Sequence, residues 1–344
     1  MSLFTGAGII MDKTPLTHNR EKTAAVIPSM RWDGTENFFV WQEKGRQKLT
    51  GLLGLPFRSC DEKFRIEYRS THEFFNETRF VFQSEEGFFV PCHFWSPVNT
   101  SGPLPLVICL QGHSTGMHIS MGRPKYPKDE EDIDDGDRDF AVRVIKEGYC
   151  ALIIEQRCFG ELGGTENGPD CTVSSLAALL IGRTTIGERV WDLQRALDAT
   201  LKNFPEADKN KVICMGNSGG GTTTFFASCL EPRIGYSMPS CYFCSFDDCI
   251  GAMRHCACNY IPDIRLYFDM GDLAGLIAPR PLVIVSGKDD TIFPQHGVKK
   301  AYTEAERMYA GAGAADKLKL VVGEGGHRFY ADLGWGAMNP YIGK

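Results

Sequence analysis

The chain has 344 residues, 43% of them hydrophobic and 23% charged, a balance that excludes disordered and fibrous classes and leaves ample apolar material for a core. A net charge of -6 supplies no basic field to gather nucleic acid or an anionic membrane. No run reaches the roughly 18 apolar residues of a membrane span. The opening MSLFTGAGIIMDK lacks the basic, apolar, small-residue order of a secretion signal. The expectation is therefore a cytoplasmic protein with a small-molecule partner, no nucleic-acid or membrane partner, and homo-oligomerisation left open. Thirteen cysteines, odd in number and scattered through strand-like runs, make poor material for a disulfide framework and read as free thiols.

In chain order, NFFVWQEKGRQKLTGLLGL (37–55) has helix-like spacing. It belongs to an N-terminal extension, 1–74, expected to pack on the core at the active-site edge or against a second subunit. TRFVFQS and GFFVPCHFWSP flank the turn signal Glu85-Glu86-Gly87, which predicts an antiparallel hairpin. From residue 75 to 344 a single catalytic domain is expected. PLVICLQG, YCALIIEQ, KVICMGNS, RPLVIVSG and KLKLVVGE are short, nearly continuous apolar runs, as in strands buried on both faces of a parallel sheet. RDFAVRVIKE (138–147) and TIGERVWDLQRALDATLKN (185–203) carry apolar residues at helical spacing. The alternation predicts an α/β fold: a doubly wound, mostly parallel sheet with helices on both faces, preceded by a helical and antiparallel extension. The acidic run KDEEDIDDGDRD (128–139) puts Ile133 where a calcium loop needs a ligand, so it reads as a solvated surface loop.

VICMGNSGGGTTTFFA (212–227) passes from a buried-type strand through G-x-S-x-G into a helix. A turn that sharp strains the backbone at Ser218, leaves no room for side chains beside it, and lifts the hydroxyl to the C-terminal edge of the sheet. A serine alcohol needs a histidine to take its proton and an acid to orient that histidine. Asp289 and Asp290 follow one later strand and His327 follows the next, giving the order serine, acid, histidine. An oxyanion needs two fixed backbone donors. Gly219, after the nucleophile, supplies one; the loop LQGHSTG offers the His113 amide, with Ser114 as the second choice.

Cys241, Cys244, Cys249, His255, Cys256 and Cys258 crowd together without paired metal-ligand spacing, so no metal is expected and the thiols are read as packing or lining a pocket. The surrounding segment, around 241–275, is read as a pocket-lining insertion, with Phe243, Phe246, Met253, Tyr260 and Met270 as candidate lining residues.

These motifs resemble the α/β-hydrolase fold, and within it the branch of acetyl xylan esterases, cephalosporin deacetylases and dienelactone-hydrolase relatives, over most of residues 75–335. EQRCFGE (155–161) is similar to that branch's D-x-R-G-x-G loop, with Glu155 for Asp and Cys158 for the first glycine. Gly287-Lys288-Asp289-Asp290 with Pro294 matches its G-x-x-D-x-x-x-P segment and selects Asp290. Gln111-Gly112-His113 stands where the branch has H-G-x. ERVWDLQRALD resembles the helix before the elbow, with Arg189, Asp192 and Arg195 as structural ion pairs. The resemblance implies a serine carboxylic-ester hydrolase working through an acyl-enzyme without cofactor, on small acetyl-type esters, carbohydrate esters among them. A peptidase or amidase, a lactonase, and a non-catalytic binding protein of the same fold are the competing readings.

Overall fold

A computed structural model describes residues 13–100 and 102–344. Nine strands form one sheet: β1 (Arg65–Thr71), β2 (Phe75–Glu85), β3 (Phe88–Pro97), β4 (Leu104–Leu110), β5 (Cys150–Ile154), β6 (Ala207–Asn217), β7 (Ile234–Ser240), β8 (Leu282–Gly287) and β9 (Leu318–Gly323). Their spatial order is β1-β2-β3-β5-β4-β6-β7-β8-β9. β1, β2, β3 and β5 pair antiparallel, and every pair from β5 through β4 to β9 is parallel. The chain runs outward from β4 to β5, then crosses back to β6 on the other side. The loops leaving β4 and β6 therefore diverge from adjacent strand ends, the crevice where open α/β sheets bind ligands.

Strand alternation sorts the core into two layers. Leu106, Ile108, Leu110, Val212 and Cys214 face one layer; Val107, Cys109, Ile213 and Met215 face the other. Helix Thr185–Asn203 presents Ile186, Val190, Leu193 and Leu197 to the first, each three or four residues from the last, so one apolar stripe covers the sheet. The Thr184 hydroxyl starts that helix by accepting from the Gly187 amide at 3.0 Å, satisfying one of the donors a helix N-terminus leaves open. Helices Phe140–Lys146 and Ala331–Ile342 cover the second layer through Phe140, Ala141, Trp335 and Met338.

Helix Phe38–Leu52 forms, capped by Asn37, and packs on the core as expected of the extension. Phe38, Trp41 and Leu49 join the first core layer, and the buried Gln42 amide donates to the Gly275 and Ala278 carbonyls at 2.7 and 2.6 Å. The acidic run is not the expected open loop. Pro127 at the first helical position and acids in the first turn initiate helix Pro127–Asp134, as the dipole favours. Its Asp129 is fully buried, because the Lys125 and Tyr126 amides at 2.9 and 3.0 Å and the His118 ring at 2.9 Å satisfy the carboxylate.

Candidate active site

β6 delivers Ser218 into helix Gly219–Leu230 at φ 54°, ψ -117°, a conformation that costs a side-chain-bearing residue about 1–3 kcal/mol. The Ser218 amide donates to the Ser240 carbonyl of β7 at 2.9 Å, which anchors the turn to the sheet. A methyl group on Gly220 would lie 2.0 Å from the Leu110 carbonyl oxygen, so only a residue without Cβ lets the helix start this close to β4.

The loop after β8 carries Asp290 and the loop after β9 carries His327. His327 Nδ1 donates to Asp290 Oδ2 at 2.8 Å. Asp290 Oδ1 accepts from the Ile292 and Phe293 amides at 2.8 and 3.1 Å. Burial alone would raise this carboxyl's pKa, but the His327 hydrogen bond and charge, together with the two amides, hold it below the usual range. The Phe293 ring lies parallel to the His327 imidazole, centroids 5.8 Å apart, and fixes its plane. Asp290, not Asp289, is the carboxylate hydrogen-bonded to His327. The Cys241 thiol lies beside the pair; burial pushes it up to about 12, so it stays neutral.

The loop leaving β4 is held from below. Glu155, 1% exposed, accepts from Gln111 Nε2 at 2.8 Å, from the Met117 amide at 3.1 Å and from the Glu161 amide at 3.3 Å. Gln156 donates to the Gln111 carbonyl at 2.7 Å and accepts from Thr223 of the elbow helix at 2.7 Å. The His113 and Gly219 amides donate to no carbonyl in the loops around the elbow, which leaves both N–H groups available to a ligand.

Ser218, Gly219, His113 and His327 line one cavity of about 490 Å³, with Arg138, Thr222, Met253, Arg254, His255, Asn259, Ile292 and Phe293 among its other walls. Of the pocket residues expected from the sequence, Met253 faces this space. Phe243 does not: it is 1% exposed and packs edge-on to Phe225 in the core, where a large ring removes more apolar surface from water. Met270 is likewise fully buried. Phe246 and Tyr260 line a separate, smaller hollow of about 190 Å³. Arg138, Arg254 and Asn259 carried no signal in the sequence, whereas Thr222, one turn beyond Ser218 on its helix, was readable from spacing.

The expected ion pairs along the helix before the elbow are also corrected. Asp192 pairs not with its helix neighbours but with Arg157, at 2.7 and 2.8 Å. Arg189 donates to the Arg157 carbonyl at 2.8 Å. Only Arg195 pairs along the helix, with Asp198 at 2.7 Å. Burial explains the pattern: charges this deep need partners close by, and the 155–161 loop supplies Arg157 and its carbonyl.

Sheet order, crossover and strained serine turn are those of an α/β-hydrolase. The chain belongs to the Abhydrolase family, whose model matches residues 21–310. It is 28% identical over 240 residues to the "Putative hydrolase YtaP" of Bacillus subtilis (strain 168), covering 69% of this chain and 77% of that one. In structure it is similar to a protein of Bacteroides fragilis NCTC 9343 described as a "putative acetyl xylan esterase", with TM-score 0.76 and 18% identity, covering 94% of this chain and 84% of that one. It is also similar to a glucuronoyl esterase from Solibacter usitatus, with TM-score 0.67 and 14% identity, over 92% and 96% of the two chains. Among the described residues no helix is long and apolar enough to cross a membrane.

Proposed function

We propose that this chain is a serine carboxylic-ester hydrolase in which Ser218 is the nucleophile, His327 the general base and Asp290 the group that orients it. The observation that carries the reading is the strained Ser218 turn opening on the same cavity as a histidine whose Nδ1 is already committed to a buried carboxylate. That commitment leaves Nε2 unprotonated and able to accept the serine proton. Ser218 Oγ attacks the acyl carbon, and the Gly219 and His113 amides receive the oxyanion. His327 then returns its proton to the departing alcohol, and water repeats the sequence on the acyl-enzyme.

The substrate follows from the cavity walls. Arg138, Arg254, His255, Asn259 and Thr222 suit a polar, hydroxyl-rich alcohol portion. Small acyl esters of carbohydrates fit these walls, in keeping with the name carried by the Bacteroides fragilis neighbour. Among the described residues no aspartate or glutamate lines the cavity, so a peptidase reading lacks an acidic partner for a substrate amine.

The test pairs a serine-directed phosphonate with a series of aryl esters. The expected result is a single adduct on Ser218 and turnover that falls steeply from acetate to octanoate. An unmodified Ser218 after prolonged exposure, with no ester cleaved, would overturn the assignment.

A further inference from the structure

Four side chains from three separate segments converge on one point beside the cavity. His113 comes from the loop after β4, Cys171 from the residue preceding helix Thr172–Leu180, and Cys256 and Cys258 from the turn around Ala257–Asn259. Their donor atoms all lie within 4.8 Å of one another. His113 Nε2 is 3.2 Å from Cys258 Sγ, which is 3.3 Å from Cys256 Sγ. We infer that His113, Cys171, Cys256 and Cys258 form a tetrahedral Cys₃His site for a zinc ion.

The dimensions suit that ion. Zinc–sulfur bonds of about 2.3 Å and zinc–nitrogen bonds of about 2.0 Å place tetrahedral donors a little under about 4 Å apart, and the observed separations bracket this edge. Three sulfurs and one imidazole select zinc over magnesium or calcium, which take oxygen ligands. A disulfide would engage two of these cysteines and would explain neither the third thiol nor the imidazole.

The surroundings are arranged for a site of net negative charge. Zinc with three thiolates and a neutral imidazole carries one negative charge, and Arg189 lies against it. Arg189 is 2% exposed, its Nη2 is 3.6 Å from Cys171 Sγ, and its Nη1 has no hydrogen-bond partner. On binding, the three thiols release their protons to solvent. Gly219 makes room for the ligand ring: a methyl there would sit 2.7 Å from His113 Nδ1.

The site would tie the cysteine-bearing turn and the 158–171 loop to the strand-end loop that holds the His113 amide. It thus acts as a clamp on the cavity wall, and it excludes His113 as a competing base. The sequence reading missed it because only Cys256 and Cys258 of the expected cluster take part. Cys244 and Cys249 are core thiols, and Cys241 lies with Asp290 and His327.

The inference does not depend on the hydrolase reading and is tested without an activity assay. Tag-free protein, purified in reductant without chelator, should carry about one zinc per chain by elemental analysis. Cys171→Ala and Cys258→Ala should fall to background, whereas Cys60→Ala, a half-buried thiol in a different segment, should retain it. Because a ligand variant could fail to fold, cobalt substitution of the wild type supplies the second measurement: intense thiolate-to-cobalt charge transfer with tetrahedral d–d bands is expected. Wild-type protein that retains no zinc after reconstitution and desalting, or gives cobalt spectra without thiolate bands, would overturn the site.

Discussion

Asp290→Asn tests the proposed chemistry most sharply, because the structure dictates how the new amide must sit. Oδ1 accepts from the Ile292 and Phe293 amides at 2.8 and 3.1 Å, so the asparagine oxygen must stay there, since its NH₂ group cannot accept. The NH₂ is then turned toward His327 Nδ1, where the carboxylate accepted at 2.8 Å. A donor facing Nδ1 forces the tautomer with hydrogen on Nε2, and that nitrogen can no longer take the serine proton. The expected loss is about 10⁴-fold in kcat, or about 5.5 kcal/mol of transition-state stabilisation, with KM little changed. Backbone contacts are kept, so the thermal midpoint should hold within a few degrees. The assay is steady-state hydrolysis of an aryl acetate, with Asp289→Asn as the control expected to stay within about twofold of wild type. A loss under tenfold in Asp290→Asn, or a larger loss in the control, would refute the tautomer argument.

Gly220→Ala should cost about 3 kcal/mol or more, because the methyl meets the Leu110 carbonyl at 2.0 Å and the Gln111 carbonyl at 2.6 Å and backbone cannot step aside; an unchanged melting curve would contradict this. Asp192→Ala removes the bidentate partner of the Arg157 guanidinium, which keeps Glu85 and Glu188 beside it, and should cost about 1.5–3 kcal/mol by denaturant unfolding; an unchanged unfolding midpoint would contradict this. Burial raises Glu155 to about 7 from an ordinary 4.5, so its proton is bound more tightly in the folded than in the unfolded state. The associated stability is present in full below about pH 4.5 and is lost as the pH rises through about 7, at most about 3 kcal/mol. Melting temperatures across that window should fall in the wild type and fall less in Glu155→Gln; parallel curves would count against the raised pKa.

What the sequence determined by itself was everything set by local pattern. Continuous apolar runs marked the buried parallel strands, the helical stripe of residues 185–203 was readable residue by residue, and the glycines around Ser218 announced a turn too tight for side chains. The chain order of Ser218, Asp290 and His327 could be read because each follows a strand, and a parallel sheet delivers every such loop to the same edge. Tertiary structure alone decided which neighbours share a cavity. Phe243 and Met253 stand ten residues apart in one segment with similar apolar character, yet one is sealed beneath the elbow helix and the other faces Ser218. The acidic run hid a buried Asp129 because the amides and the histidine that satisfy it are set by how the chain folds over it. Cys171 and His113 were separated in sequence from Cys256 and Cys258, and no spacing rule joins them. Periodicity records which face of an element is dry, whereas convergence of side chains from separate loops depends on how strands are ordered in space, which local pattern does not encode.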